Sequence, residues 1–251
     1  MTKHCFIVTS AINTKWGVYS NEIRLHQTRQ TLESIKEYAP NSKIIVMESS
    51  AIPLTEWQMH VVENNSDLVI DCSADPHVLY CNEVATDQSV LKNYTEMHCF
   101  RKTLEECLAH NDFAGIDRVH KISGRYMLNG EFNMNLYDNN PNIVIGPVHE
   151  SNLVSVNRQL EKQYMCRLWS WPIAMTRDII QVYANSLDEF LDRMKPDSSD
   201  VPGIDGKPRQ AGRYIDLEHL LYKFLNPKHV QNVDRIGITG DISKTGETVA
   251  D

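Results

Sequence analysis

The stretch HCFIVTS, residues 4–10, is rich in β-branched and aromatic side chains, and this composition predicts a buried strand. Residues 22–38 follow with apolar side chains at helical spacing and charges on the opposite face, and KIIVMESS, residues 43–50, predicts a second strand. A strand, a helix and a second strand in this order are the start of an α/β fold whose strands run parallel.

The rest of the chain continues this alternation of strands and helices. The expected elements are a short helix at 55–64, strands at 66–73, 115–128 and 141–148, a long helix at 88–110, a strand leading into a helix over 165–194, and a helix at 214–225. No internal repeat is present. We therefore expect a single α/β domain over residues 1–251, with a mostly parallel central sheet flanked by helices.

Two segments interrupt the alternation. Residues 195–213 are rich in Pro, Gly, Asp and Ser, and this composition predicts a flexible loop. Residues 237–251 contain several glycines and are expected to form a C-terminal tail. Residues 195–213 and residues 237–247 of the tail are candidates for closing over a bound ligand and excluding water from it.

Composition narrows the class of protein. The net charge of −8 disfavours a broad basic face for nucleic acid, although a local basic cleft remains compatible with it. The six cysteines show no CxxC pair or zinc-ligand spacing and are expected to be reduced thiols. No segment approaches the ~18 apolar residues of a membrane span, and the apolar part of the N-terminus is too short for a signal peptide. The expected location is the cytoplasm.

Several common catalytic and cofactor motifs do not occur in the sequence. It contains neither GxxxxGK[ST] nor a GxGxxG after the first strand, which disfavours NTPases and dinucleotide-dependent enzymes. It contains no GxSxG and no HExxH. Polar residues instead follow the predicted strands, as TSAIN (9–13), ESS (48–50) and SGRY (123–126). Open α/β sheets bind their ligands at these carboxyl ends of the strands.

The predicted fourth strand contains two cations. Lys121, Ser123 and Arg125 alternate with less polar residues, so a period of two would place all three on one face. A lysine beside an arginine fork suits a pyrophosphate, because both charges can pair with its oxygens. The alternative is a structural ion pair, in which Lys121 or Arg125 binds a carboxylate. The candidate partners are Asp117, Glu96 and Glu218.

HKISGRY, residues 120–126, resembles the K-[IL]-S-G-R-Y signature of a glycosyltransferase-like family with bacterial and viral members and a predicted GT-A fold. The resemblance extends more weakly over most of the chain. It implies a glycosyltransferase that uses a nucleotide-diphosphate sugar such as a UDP-sugar. Many relatives with that fold have an acidic cluster on the corresponding strand, which holds a divalent metal on the diphosphate. In this chain Ser123, Gly124 and Arg125 stand at that position.

This departure leaves two ways to neutralise the diphosphate. Arg125, Lys121 and Lys92 are the candidates for a solution that uses cations alone. Mn²⁺ or Mg²⁺ would instead need carboxylates. The candidate ligands for such an ion are Asp117, Asp87 and Glu48. No residue is assigned as a metal ligand, and metal dependence is left open.

The site residues follow from these arguments and from the resemblance. Glycosyl transfer needs a carboxylate near the sugar, for which Glu218 is the first candidate and Asp216 the second. Both lie at the start of a helix, where a carboxylate is also favourable for purely structural reasons. Arg125 is the third catalytic candidate. The expected donor-binding residues are Thr9, Ser10, Ala11, Ile12, Glu48, Lys92, Lys121, Ser123, Gly124, Arg125 and His219. Lys92 and Glu96 are four residues apart, so a pair within their helix is the alternative for Lys92.

The expected function is transfer of a sugar from a nucleotide-sugar donor to a hydroxyl acceptor. The acceptor would be a polysaccharide or, for a viral enzyme in the host cytoplasm, a modified DNA base. Two alternatives are a noncatalytic nucleotide-sugar or glycan-binding protein and a nucleotidyltransferase. The sequence leaves the sugar, the nucleotide, the stereochemical outcome and the oligomeric state open.

Overall fold

The computed structural model describes residues 2–85, 87–151, 153, 161–194, 214–241 and 248–250. The helices are α1 (Asn21–Tyr38), α2 (Glu56–Glu63), α3 (Pro76–Val84), α4 (Gln88–Ala109), α5 (Thr176–Met194) and α6 (Leu217–Phe224). The strands are β1 (His4–Ser10), β2 (Lys43–Glu48), β3 (Leu68–Asp71), β4 (Arg118–Ser123), β5 (Tyr126–Leu128), β6 (Ile143–Ile145), β7 (Val148–Glu150), β8 (Lys162–Tyr164), β9 (Leu168–Pro172), β10 (Val230–Asn232), β11 (Ile238–Asp241) and β12 (Thr248–Ala250). The loop expected at 195–213 lies outside the described residues, as does 242–247 of the expected tail.

A seven-stranded sheet in the order β10-β6-β9-β4-β1-β2-β3 forms the centre of the molecule. Strands β4, β1, β2 and β3 are parallel neighbours, and β10 is parallel to β6. Strand β9 runs antiparallel to both β4 and β6. The prediction of an α/β fold with a mostly parallel central sheet is confirmed.

Strand β1 lies in the middle of this sheet and is buried along its whole length. Because successive side chains of a strand point to opposite faces, its apolar residues enter two separate cores. Cys5 and Ile7 join a core that contains Phe100 of α4 and residues of α5 and α6. Phe6 and Val8 join a second core that contains Leu32 of α1 and Val62 of α2. The sheet is therefore covered by helices on both faces, which explains the continuous apolar character of HCFIVTS.

Helix α3 is an element to which the sequence patterns assigned nothing. Asp75 caps its N-terminus by accepting from the backbone N–H groups of His77 and Val78, and Pro76 occupies its first turn. Only Val78 and Cys81 of this nine-residue helix are buried. Such a narrow apolar stripe explains why the helical period was not visible in the sequence.

The strand expected at 115–128 is divided in two. Strand β4 ends at Ser123, and a turn at Gly124 and Arg125 leads into β5, which belongs to a separate three-stranded sheet with β11 and β12. The Gly124 N–H donates to the Thr9 carbonyl at 2.8 Å, and a Cβ on Gly124 would lie 3.2 Å from Thr28 Oγ1. Gly124 therefore lets β1 and α1 approach this turn closely. Part of the expected tail, as β11 and β12, pairs in the same small sheet.

Among the residues that the structure describes, no helix is both long enough and apolar enough to cross a bilayer.

Candidate functional site

A cleft lies at the carboxyl ends of β1, β2 and β4, where parallel sheets place their ligands. The empty volume of the cleft is about 940 Å³, including the part that is open to solvent. The lining comes from the segments after the strands, from α1, from α3 and from the first turns of α4. The lining residues are Thr9, Ser10, Ala11, Asn13, Thr14, Lys15, Trp16, Arg24, Thr28, Ser49, Ser50, Ala51, Val78, Asn82, Gln88, Leu91, Lys92, Thr95, Glu96, Ser123, Gly124 and Arg125.

The structure brings together most of the residues proposed for donor binding. Those that line the cleft are Thr9, Ser10, Ala11, Lys92, Ser123, Gly124 and Arg125. The other four proposed residues, Ile12, Glu48, Lys121 and His219, are buried and lie behind the cleft or beyond it. The polar residues that follow the predicted strands are thus neighbours in space.

Glu48 ties the segment after β1 to the segment after β2. One of its oxygens, Oε1, accepts from the backbone N–H groups of Ile12 and Ser50, each at 3.1 Å, and from the Ser50 hydroxyl. Burial raises the pKa of this fully buried carboxyl. These hydrogen bonds fix the two segments that form the floor of the cleft, although Glu48 itself does not line the cleft.

Lys121 is fully buried and is engaged by groups of the protein. Its Nζ lies 2.8 Å from Glu96 Oε1, 2.9 Å from Ser123 Oγ and 3.2 Å from the Cys166 carbonyl oxygen. This is the structural ion pair that the sequence left as an alternative, with Glu96 as the partner. Burial alone would raise the pKa of Glu96, but the charges of Lys121 and Lys92 outweigh it and hold that pKa at about 2.

Arg125 lies in the turn between β4 and β5 and lines the cleft. Its Nη1 donates to the Asp241 carbonyl at 3.0 Å, and its guanidinium lies 5.7 Å from the ring centre of Tyr126. Among the described residues, no carboxylate lies within ion-pair distance of Arg125. The positive charge of Arg125 is therefore not paired with a carboxylate of any described residue.

The sequence patterns missed Arg24 on α1. Apolar spacing predicted a buried face through Ile23, but Ile23 is 46% exposed and Arg24 only 7%. The Arg24 Nη1 donates to the Ala11 carbonyl at 3.2 Å. Burial and the nearby charge of Arg125 lower the pKa of Arg24. The buried face of α1 is thus displaced by one residue from the predicted face. It is polar at the end that meets the cleft, and a search for apolar periodicity does not detect a polar buried face.

The cleft carries an excess of positive charge in a protein whose net charge is −8. Lys15, Arg24, Lys92 and Arg125 line it. Glu96, the one carboxylate that the described part of the chain contributes to the lining, pairs with Lys121. The Lys15 Nζ donates to the Asn82 carbonyl of α3 at 3.0 Å. A cleft of this charge favours anionic ligands.

A second cluster, formed by the residues proposed as the carboxylates of catalysis, lies beside the cleft. Asp216 caps α6 by accepting from the His219 N–H, and it also contacts the His219 ring. The other ring nitrogen of His219 forms a 2.6 Å hydrogen bond with Ser151 Oγ. The cap is the structural role that the sequence had left as an alternative for Asp216.

Glu218 is connected to the cleft through Cys166. The Cys166 thiol donates to Glu218 Oε1 at 3.3 Å, and the Cys166 carbonyl accepts from Lys121. Burial and the neighbouring Asp216 raise the pKa of Glu218. A carboxylate of raised pKa is a better proton acceptor near neutral pH than an ordinary glutamate.

The residues at the cleft do not form a donor set for a divalent cation. Within the described ranges, no group of three His, Cys, Asp or Glu side chains could hold a metal ion. Asp117 accepts from the Lys3 N–H just before β4 begins, at the far end from the cleft. Asp87 caps α4, and Glu48 is fully buried with its Oε1 engaged by Ile12 and Ser50.

No protein-family model matches this sequence, and neither does any curated protein. Two solved structures resemble the fold over most of both chains. Core-mannan synthase A from Aspergillus fumigatus, in its Mn/GDP form, shares 9% identity at a TM-score of 0.50, covering 96% of this chain and 75% of that one. The galactosyltransferase LgtC, in complex with donor and acceptor sugar analogs, shares 9% identity at a TM-score of 0.51, covering 91% and 72%. The fold is the GT-A-like α/β fold that the resemblance of HKISGRY implied.

Proposed function

We propose that this protein is a glycosyltransferase that transfers a sugar from a nucleotide-diphosphate sugar to a hydroxyl acceptor. The observation that carries the proposal is the cationic cleft at the carboxyl ends of β1, β2 and β4 in a GT-A-like fold. The two structures of similar fold are transferases, one with GDP and one with sugar analogs, which supports the same class of substrate.

The donor's nucleotide lies in the part of the cleft formed by Thr9, Ser10 and Ala11. Its diphosphate faces the turn at Ser123, Gly124 and Arg125, where a backbone turn and a guanidinium offer hydrogen-bond donors. Lys92 approaches from α4. Lys121 acts from behind Ser123, because its charge neutralises Glu96 and so keeps a bare carboxylate away from the phosphates.

The reaction breaks the bond between the sugar's anomeric carbon and the diphosphate oxygen and forms a bond from that carbon to the acceptor oxygen. The diphosphate departs with the bonding electron pair, so negative charge grows on it as the bond breaks. Arg125 and Lys92 stabilise that charge without a metal ion. The acceptor hydroxyl loses its proton to a carboxylate, for which Glu218 is the first candidate and Asp216 the second.

The acceptor is a glycan in this proposal, and the whole chain acts as one domain. A modified DNA base is the second acceptor of the same chemistry, and the positive cleft is compatible with either. The net charge of −8 favours the glycan, because most of the surface would repel a DNA backbone.

A nucleotide-sugar screen tests the proposal. The protein is mixed with UDP-, GDP-, CMP- and other nucleotide sugars, both in EDTA and with added Mn²⁺ or Mg²⁺, and its unfolding midpoint and the release of nucleotide are followed. A ligand at a hundredfold excess over its dissociation constant stabilises the native state by about 2.7 kcal/mol, which a thermal scan detects. If no nucleotide sugar raises the midpoint or is turned over, the proposal is wrong. Saturable binding with no release under any acceptor would instead indicate a binding protein.

A further inference from the structure

We infer that Arg24 binds the same diphosphate as Arg125, so that two guanidinium groups from α1 and from the β4–β5 turn clamp it from two sides. The inference rests on the proposed function for the identity of the ligand, and it rests on the geometry of α1 for the role of Arg24. Nothing in the sequence patterns assigned Arg24 to the site.

The face of α1 that contains Arg24 lies against the turn that contains Arg125. Thr28, one turn along the helix, donates from Oγ1 to the Gly124 carbonyl at 3.3 Å. Gln27 reaches Asp241 Oδ2 at 3.4 Å, and the carbonyl of the same Asp241 accepts from Arg125. Arg24 precedes both residues on this face and lines the cleft beside Arg125.

The Arg24 side chain has hydrogen-bonding capacity that the described residues leave unused. It is more than nine-tenths buried, and its Nε finds no partner in the part of the chain that the structure describes. Its described bond goes to a neutral carbonyl, that of Ala11. Burying a guanidinium without a counter-ion is unfavourable, so an anion in the cleft would satisfy a group that the protein has already desolvated.

Glu48 does not take that place. The charge of the buried Glu48 carboxyl acts on Arg24 and opposes the lowering of its pKa, but the two side chains form no direct salt bridge or hydrogen bond. Its Oε1 is already occupied by Ile12 and Ser50. Hydrogen bonds from the Arg24 guanidinium therefore remain available to an anion that enters the cleft.

Gly17 shapes the space around the Arg24 side chain. Its φ of +141° is a backbone conformation that residues with a Cβ rarely adopt, and a Cβ there would collide with the end of the Arg24 guanidinium. A Cβ at this position would therefore strain the backbone and push the guanidinium aside. Gly17 leaves free the space in which the guanidinium lies and offers a second way to displace it.

Two adjacent guanidinium groups select for the chemistry of a diphosphate. Each is a planar fork of donors that matches phosphate oxygens, and two forks can engage two phosphates that would otherwise repel each other. A monophosphate offers two forks fewer oxygens and less negative charge than a diphosphate does. Loss of Arg24 should therefore lower the binding affinity for diphosphates more than the affinity for monophosphates.

The test measures binding by titration calorimetry in the presence of EDTA, with pyrophosphate, UDP and UMP as the probes. Arg24→Met is compared with Arg29→Met, which removes one charge from the exposed surface of the same helix, where Arg29 pairs with Glu33 at 3.4 Å. We expect Arg24→Met to lower the affinity for pyrophosphate and UDP by about tenfold to a hundredfold and the affinity for UMP by less. Arg29→Met should leave all three affinities within about twofold of the wild type. The affinities of Arg24→Lys should lie between those of Arg24→Met and the wild type.

Two further variants keep the test decisive if Arg24→Met folds poorly. Gly17→Ala retains every charge and should weaken the same probes by displacing the guanidinium, and Arg24→Lys retains the charge at the site. If Arg24→Met, Arg24→Lys and Gly17→Ala all bind pyrophosphate and UDP like the wild type, the inference is overturned and the proposed function stands. If the wild type binds pyrophosphate through Arg24 but turns over no nucleotide sugar, the clamp stands and the proposed function falls. If the wild type binds none of the three probes, the clamp is overturned.

Discussion

Lys121 Nζ lies 2.8 Å from Glu96 Oε1, joining the middle of the central sheet to the helix α4 that borders the cleft. The lysine is fully buried and the glutamate side chain is 16% exposed. Lys121, which the sequence suggested as a ligand-binding residue, is thus bound to a glutamate four residues from Lys92. The same Nζ contacts the Cys166 carbonyl, and the Cys166 thiol contacts Glu218, so the pair links the border of the cleft to the cluster around Glu218.

The Lys121–Glu96 pair is expected to stabilise the fold. Glu96→Gln leaves the Lys121 ammonium buried without a carboxylate, and we expect the free energy of unfolding to fall by about 3–5 kcal/mol. The matched control is Glu105→Gln on the same helix, where the Arg101–Glu105 pair is about 40% exposed and should contribute at most about 1 kcal/mol. Urea unfolding measures both variants. Equal losses would show that the buried pair contributes no more than a surface pair.

The same pair predicts a dependence of stability on pH. The folded-state pKa of Glu96 is about 2, below the ordinary value of about 4.3 for a glutamate. Its stabilisation is therefore fully present above about pH 4.3 and is lost as the pH falls towards 2. We expect the difference in unfolding free energy between wild type and Glu96→Gln to shrink over this window. A difference that stays constant across it would contradict the lowered pKa.

Arg125→Ala should leave the fold intact and weaken donor binding. The variant removes a guanidinium that no described carboxylate pairs, so we expect donor affinity to drop by about tenfold to a hundredfold with little change in the unfolding midpoint. Arg235→Ala is the control, because Arg235 is 75% exposed and pairs with Glu131 away from the cleft. Should Arg125→Ala unfold the protein while its folded remnant still turns over donor, Arg125 has a structural role instead.

Activity is expected to survive exhaustive chelation. The cations Arg24, Lys92 and Arg125 all line the cleft. We expect the rate of nucleotide release in EDTA to stay within about threefold of the untreated rate, since the charge on the leaving diphosphate is met by these groups. Complete loss of activity that only Mn²⁺ or Mg²⁺ restores would refute this prediction.

Glu218→Gln should separate turnover from donor binding. If Glu218 accepts the acceptor's proton, the variant should lower the turnover rate by about 10²–10⁴-fold and leave donor affinity within about twofold. Burial and the neighbouring Asp216 raise the pKa of Glu218. As the pH is lowered, the wild-type rate should therefore begin to fall at a higher pH than it would with a glutamate of ordinary pKa. Glu63→Gln, on the exposed surface of α2, is the control. A variant with normal turnover and a normal pH profile would remove Glu218 from the mechanism.

The sequence predicts the parts of this molecule that follow from local patterns. The apolar runs of β1 and β2 define parallel strands, and parallel strands bring their carboxyl ends to one edge. Thr9, Ser50 and Ser123 therefore lie together at the cleft, as their positions in the chain indicate.

Long-range packing determines what the sequence does not reveal. Whether Lys121 faces a ligand or a carboxylate depends on how α4 lies across the sheet, and no local pattern in HKISGRY contains that information. Arg24 was missed for a related reason. An arginine in the first turn of an amphipathic helix resembles a surface residue, but the segment after β1, which contains Ala11 and Gly17, covers it.

The turn between β4 and β5 depends on segments that are far apart along the chain. The Gly124 N–H bonds to Thr9 in β1, and the Arg125 side chain bonds to Asp241 in β11. Thr9 belongs to the central sheet, whereas Asp241 belongs to the small sheet of β5, β11 and β12. The orientation of the Arg125 guanidinium therefore depends on both sheets, and a change that loosens β11 should disturb the cleft even if the central sheet stays intact.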